Sequence, residues 1–175
     1  MTSLLSRLAV GGVLIAALGG AVAPTAVAAP APAVDCAEGN VLKDVFHSAD
    51  HDGISVVFNY HCAVEGKDAK GKKFNHLRDV SFLGANEKPY PSAGEGKIDY
   101  DKSAKAWIRV VTDGYNWIGD TYKGKRKIAG EGAVKQIVHA DNFEGQALWF
   151  IGLDKKRQIT FSAKGKTVQV YVKVA

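Results

Sequence analysis

The residues with the strongest claim to chemistry fall into a few clusters. His47-Ser48-Ala49-Asp50-His51-Asp52 sets two imidazoles four positions apart with carboxylates around the second. On a helix that spacing brings both rings to one face, the arrangement that zinc sites use. Here Asp52 is followed at once by Gly53, and Asp-Gly marks a hairpin turn, where helical spacing does not apply. The expected role is a solvated turn in which Asp50 and Asp52 accept bonds from backbone amides, with no metal bound. His61, His76 and His139 are scattered and are expected on strand surfaces.

Hydrolysis by a nucleophile needs a serine or cysteine beside a base that an acid orients. Ser48, Ser55, Ser81, Ser92, Ser103 and Ser162 are present, yet none sits in a Gly-x-Ser-x-Gly elbow. A glycosidase needs only two carboxyl groups, roughly 5 to 9.5 Å apart. Glu95, Asp99, Asp113, Asp120, Glu131, Asp141 and Glu144 could supply them, but the pattern selects no pair. No catalytic residue is therefore assigned, and no cofactor is expected.

The segment Asp113 to Lys127 interleaves Tyr115, Trp117 and Tyr122 with Lys123, Lys125, Arg126 and Lys127. Exposed rings stack on the C–H faces of sugars while the basic groups meet anions. Tyr115, Trp117, Tyr122, Lys125 and Arg126 form the contact patch expected on that basis. Trp117 and Ile118 can equally be core contacts at a strand end, with Lys123 to Lys127 a solvated turn, because aromatic side chains bury large areas wherever they can. The exposure of Trp117 and Tyr122 separates the two.

These clusters must be positioned by a chain that begins like an export substrate. Arg7 precedes an apolar run, Leu8 to Leu18, and Ala26-Val27-Ala28 provides a small-x-small cleavage site, so residues 1–28 are expected to be a secretory signal peptide. The run is too short to cross a bilayer, which takes about 20 apolar residues, and no transmembrane segment is expected in the mature chain. Residues 29–35, Ala-Pro-Ala-Pro-Ala-Val-Asp, read as a short extended linker. Asp35 stands where lipoprotein signals carry a small neutral residue, so a released, extracellular protein is expected, with association to the cell wall open. Loss of the leader lowers the net charge of +5 by one. Such a charge suits anionic wall polymers or lipid head groups and is too weak to argue for nucleic acid.

Cys36 and Cys62 are the only cysteines, and in an oxidising compartment an even pair is most simply a disulfide. They lie symmetrically about Ala49, so a hairpin of Val41–Phe46 and Ile54–Tyr60 would have its open end closed by the bridge. From there on, apolar residues recur with a period near two. Further strands are expected over Leu77–Leu83, Trp107–Val111, Val134–His139, Ala147–Ile151, Gln158–Ser162 and Thr167–Val174. In the last, Val168, Val170, Val172 and Val174 alternate with Gln169, Tyr171 and Lys173. Loops are expected at Gly66–Lys73, Gly84–Asp101 and Asp113–Gly132, the first two solvated and exposed. One domain over residues 36–175 is expected to be an all-β antiparallel sandwich of about seven to nine strands with one disulfide.

Two blocks carry a family resemblance. His51-Asp52-Gly53-Ile54-Ser55-Val56-Val57-Phe58 resembles the His-Asp-Gly-Phe-Asp-Arg-Val-Val-Phe opening of the AMIN-like domain of secreted and lipid-anchored actinobacterial proteins. Asp141-Asn142-Phe143-Glu144-Gly145, followed by Trp149 to Lys156 with Gly152-Leu153-Asp154, is similar to that family's Asp-Phe-Glu-Gly and Gly-Leu-Asp-Arg run. Order and spacing agree over residues 41–174. The family's Asp-Arg after the turn is Ser55-Val56 here, and its Pro-x-Arg before the final strand is replaced by Lys164-Gly165-Lys166-Thr167. The resemblance implies a noncatalytic, envelope-binding β-sandwich and brings no catalytic residues.

The function expected is thus a secreted domain associating with cell-wall glycan or another envelope polymer. A secreted protein-binding module or inhibitor is the second expectation, with Tyr90 as an anchor pre-ordered by Pro89 and Pro91. A carboxylate-dependent hydrolase is the third.

Overall fold

A computed structural model describes residues 36, 39–91, 97–113 and 122–174. The expected leader, residues 1–28, and the expected linker, residues 29–35, lie outside the described residues. Eleven strands and no helix are described. They are β1 (Leu42–Ala49), β2 (Gly53–Tyr60), β3 (Glu65–Lys67), β4 (Lys73–Asn75), β5 (Leu77–Phe82), β6 (Ala106–Thr112), β7 (Lys127–Ala129), β8 (Val134–Phe143), β9 (Gln146–Leu153), β10 (Ile159–Lys164) and β11 (Thr167–Lys173). A four-stranded sheet has the order β1-β2-β11-β10, and a five-stranded sheet has the order β5-β6-β9-β8-β7. All their pairings are antiparallel. The fold is the all-β sandwich expected, and β3 and β4 add a small separate hairpin.

Alternation explains the interior. On β11, Val168, Val170 and Val172 are fully buried, and on β2 Val56 and Phe58 join them. Facing them from the other sheet are Ile108 and Val110 of β6, Ile137 of β8, and Trp149 and Ile151 of β9, all in one cluster. Phe58 meets Trp149 edge-on, with ring centroids 5.7 Å apart, a favoured aromatic geometry that joins the two sheets. Val174 departs from its expected place in this row. β11 ends at Lys173, and Val174 is exposed.

The five-stranded sheet is covered on its outer face as well. Trp107 of β6, Val138 of β8, and Leu148 and Phe150 of β9 form a second cluster against Leu83, Ile98, Tyr100 and Ala104. The Gly84–Asp101 stretch was expected to be exposed, and Gly84–Lys88, Tyr90, Lys97 and Asp99 are; Pro89, Ile98 and Tyr100 nonetheless turn onto this face. Pro89 is buried, and Tyr90 sets its ring 5.7 Å from that of Phe150 while Arg109 donates to its hydroxyl. Tyr90 remains 40% exposed. Tyr100 meets Trp107 edge-on at 5.5 Å. Gly152 is required beneath it, since a Cβ there would stand 2.8 Å from the Trp107 ring.

Cys36 and Cys62 are bonded, with their Cα atoms 5.8 Å apart. The buried Asn40 reinforces the junction: its Oδ1 accepts from the amides of Val41 and Cys62, and its Nδ2 donates to the Cys62 carbonyl. The open end of the β1–β2 hairpin is closed in this way. Three short strands escaped the sequence pattern. β3 and β4 flank the lysine-rich turn at Asp68, whose Oδ1 accepts from the amides of Lys70 and Lys72, and β7 falls within the expected third loop.

The bridge spans 26 residues, and closing such a loop stabilises a domain by about 3 kcal/mol in the chain-entropy model. Replacing both cysteines by serine is expected to lower the calorimetric melting temperature by about 10 °C without changing the far-ultraviolet spectrum of the folded state.

Candidate functional site

Of the expected contact patch, Tyr115 and Trp117 lie outside the described residues. Tyr122 is not a surface ring. It is 4% exposed, sits edge-on to Trp149 at 5.7 Å, and donates its hydroxyl to the Lys125 carbonyl at 3.2 Å. Burial, and then the nearby Asp44 carboxylate, push its phenol pKa up. The reason for the correction is Trp149, which faces inward from β9 and gives the returning chain a large apolar surface to cover. Lys125 and Arg126 are exposed. Arg126 also reaches inward, its Nη1 standing 3.2 Å from Nδ1 of His139.

His139 is likewise not on a strand surface. It pairs with Trp149 across β8 and β9, is 7% exposed, and holds its ring 4.8 Å from that of Trp149. A guanidinium can only donate, so Nδ1 accepts from Arg126 and the ring proton sits on Nε2, directed at Oδ1 of Asn142 at 2.9 Å. Burial lowers the pKa of His139. The Asn142 bond opposes that shift, Arg126 adds to it, and Asp141 opposes it again.

The turn between β1 and β2 is shorter than expected, spanning residues 50–52 because β1 runs on to Ala49, and only Asp50 accepts from backbone amides as expected, while the Asp52 carboxylate bonds the His51 ring. Asp50 Oδ1 accepts from the amides of Asp52 and Gly53 at 2.9 and 2.8 Å and from the Tyr171 hydroxyl at 3.0 Å. These bonds, that from Asp52 foremost, hold the Asp50 carboxyl below its usual range. His51 and Asp52 are exposed. His47 turns the other way and donates Nε2–H to the Ala129 carbonyl at 3.0 Å, joining β1 to β7. Among the described residues no group of three or more His, Cys, Asp or Glu side chains is placed to hold a metal ion.

The carboxylates are dispersed among separate partners. Asp113 binds His76 Nδ1 at 3.0 Å and also pairs with Arg78, and Asp99 pairs with Lys127. Glu131 and Glu144 are exposed in turns, whereas Glu95 and Asp120 lie outside the described residues. His76, stacked on Phe74 with centroids 4.9 Å apart, lines a cleft of about 490 Å³ beside the disulfide. An imidazole oriented by a carboxylate has the geometry of a general base. No hydroxyl side chain lines this cleft among the described residues. The pair is 37 residues apart in sequence, so no local spacing could reveal it.

The surface best organised for binding is the outer face of the four-stranded sheet. Strand register brings Asp44, Asn59 and Thr167 into one row, Phe46, Val57, Gln169 and Ser162 into the next, and Ser48, Ser55, Tyr171 and Thr160 into a third. Cross-strand bonds fix the polar groups. Asn59 Nδ2 donates to Asp44 at 2.8 Å, the Thr167 hydroxyl to Asn59 at 3.1 Å, and Gln169 Nε2 to the Ser55 hydroxyl at 2.8 Å. Phe46, on the edge strand β1, is 43% exposed at one side of this grid. The Tyr171 ring covers Gly53, where a Cβ would stand 2.5 Å from its Cζ. A shallow groove of about 280 Å³ runs past Thr160, Phe161, Ser162, Gln169 and Tyr171. The face offers immobilised hydroxyl and amide groups between two rings, a combination that suits an extended polymer bearing hydroxyls and amides. Alternation in β11 already put Gln169 and Tyr171 on one side of the strand. That no described segment covers this side was not readable from it.

Comparison of the chain with known protein families, with curated proteins and with solved structures returns no match.

The buried imidazole gives a pH dependence of definite sign. His139 has a pKa below 6.5 in the folded protein and takes up a proton more readily when unfolded. Its contribution to stability is full above about pH 6.5 and is lost as the pH falls from there toward the lowered value. The lowered carboxyl groups of Asp50, Asp101 and Asp154 contribute stability that is present above the ordinary aspartate value of 3.8 and is lost as the pH falls below it, so they add little difference between pH 5.0 and 7.5. The urea midpoint is therefore expected to be lower at pH 5.0 than at pH 7.5, and His139→Gln to flatten that difference.

Proposed function

We propose that this chain is a secreted, noncatalytic domain of the AMIN-like kind that rests on cell-wall glycan through the outer face of the β1-β2-β11-β10 sheet. The single observation carrying this is the contrast between the two outer faces. Chain segments and aromatic side chains cover one, while the other presents, among the described residues, a bonded grid of Asn59, Thr167, Gln169 and Ser55 beside the exposed Phe46. A sheet face left to solvent normally carries scattered charges. Between its edges this one carries the hydroxyl and amide groups of Ser55, Asn59, Thr167, Gln169 and Tyr171 around Val57, with Lys173 the one charge at the end of β11; the neutral groups bond to sugar hydroxyls and N-acetyl groups. The rings supply contact with sugar C–H faces. The leader over residues 1–28 and the Cys36–Cys62 bridge agree with work outside the cytoplasm.

Lys125 and Arg126, the residues of the expected patch that are both described and exposed, form the comparison surface. Retention on purified insoluble peptidoglycan is measured for wild type, for Phe46→Ser with Gln169→Ala, and for Lys125→Ala with Arg126→Gln. Removing a ring contact and a hydrogen-bonding amide is expected to weaken retention about tenfold, while the Lys125/Arg126 variant stays close to wild type. Loss in the Lys125/Arg126 variant alone would move the site, and no retention of wild type would end the proposal.

A further inference from the structure

The two large sheets have four edge strands, and three of them are blunted. β1 carries a bulge between Leu42 and Asp44, bears Lys43 and Asp44, and is tied to β7 through His47. β5 carries a bulge between Leu77 and Asp79 and bears Arg78 and Asp79, both engaged in ion pairs. β7 is three residues long, and its Lys127 pairs with Asp99. These are the usual devices that keep a sheet edge from recruiting another strand.

β10 has only one of them, a lysine at its last position. It pairs with β11 over six residues without a register shift and reads Ile-Thr-Phe-Ser-Ala before its single charge, Lys164. Its outer side has no strand partner among the described residues. Thr160, Phe161 and Ser162 are all exposed, and Phe161, at 53%, is the most exposed large apolar side chain described. A row of backbone donors and acceptors next to an exposed ring is a template for strand addition.

Charge at the two ends of β10 decides what it admits. Lys155 and Lys156 stand exposed before it, and Lys164 and Lys166 at its far end. The acids nearby are Asp154, which a two-bonded Arg157 neutralises, and Glu65, which accepts from the Gly165 amide. Two copies paired antiparallel through β10 would bring Lys155 and Lys156 of each against Lys164 and Lys166 of the other. Like charges would then oppose each other at both ends of the joint. We infer that the β10 edge accepts an extended segment of another protein, uncharged and β-branched at its centre and acidic at both ends, as an added antiparallel strand.

The probe is the peptide Asp-Glu-Val-Thr-Val-Thr-Val-Glu-Asp, presented to the full chain with its disulfide intact. Binding is followed by fluorescence anisotropy, amide hydrogen exchange and sedimentation. The acidic peptide is expected to slow exchange within residues 159–164, and methylating alternate backbone nitrogens of the peptide to weaken binding at least tenfold. Lys155→Glu with Lys156→Glu is expected to weaken it similarly, and a version with lysine at the four acidic positions not to bind. Equal binding of the methylated peptide, tight binding of the lysine peptide, or unchanged exchange in β10 would each overturn the inference. So would a concentration-dependent dimer that Phe161→Lys abolishes, which would make a second copy the occupant. None of these readouts involves glycan, so they stand apart from the peptidoglycan experiment.

Discussion

The need to cover β9 on both sides governs this fold. Its residues from Ala147 to Leu153 are all buried, with Trp149 and Ile151 directed into the sandwich and Leu148 and Phe150 directed out of it. Burying a side chain of this size stabilises a protein by about 1.5 to 3 kcal/mol, so leaving either side in water would forfeit a large part of a small domain's stability. One side is met by β2 and β11. The other is met by the chain between β5 and β6, which supplies Leu83, Ile98 and Tyr100. With that segment committed to the five-stranded sheet, no described segment covers the outer face of the four-stranded sheet. The surface assigned to binding is thus a by-product of what the central strand demands.

The interior of the sandwich is closed at one end by polar groups that satisfy each other. His139 links Arg126 to Asn142, the Tyr122 hydroxyl donates to the Lys125 carbonyl, and the Tyr60 and Thr112 hydroxyls meet at 2.8 Å. Such bonds contribute little net stability, but leaving one unmade inside the protein costs more than it adds. They fix where the chain re-enters after residue 121. His47 does comparable work at another edge, holding β1 to β7 with one bond.

Much of the architecture was legible in the sequence because a period of two survives whatever packs above it. The Val168-Val170-Val172 row, the β1–β2 hairpin and the cysteine pairing all follow from local pattern and the chemistry expected of an exported chain, although the hairpin turns at residues 50–52 rather than about Ala49. What was not legible depends on partners distant in sequence. Tyr122 was expected on the surface because nothing near it in sequence announces Trp149, and His139 because only its cross-strand pairing with that residue turns it inward. β3, β4 and β7 are three-residue strands rich in lysine, where charge hides the pattern. For the open face, alternation sorts side chains between two sides of a strand. Which side receives a covering depends on loops whose path it does not encode.

The disulfide has a mechanical consequence. Tension entering the domain at Cys36 passes through the sulfur–sulfur bond to Cys62, beyond the end of β2, without crossing β1. The hairpin lies inside a covalent loop that such a pull does not load, so β1 cannot be peeled from the sheet edge residue by residue. The load falls first on the junction after β2, where the Tyr60 and Val64 amides bond the carbonyls of Lys166 and Gly165 at the start of β11. A domain anchored to a solid surface and drawn from that side would resist by shear between β2 and β11, with many bonds sharing the strain at once.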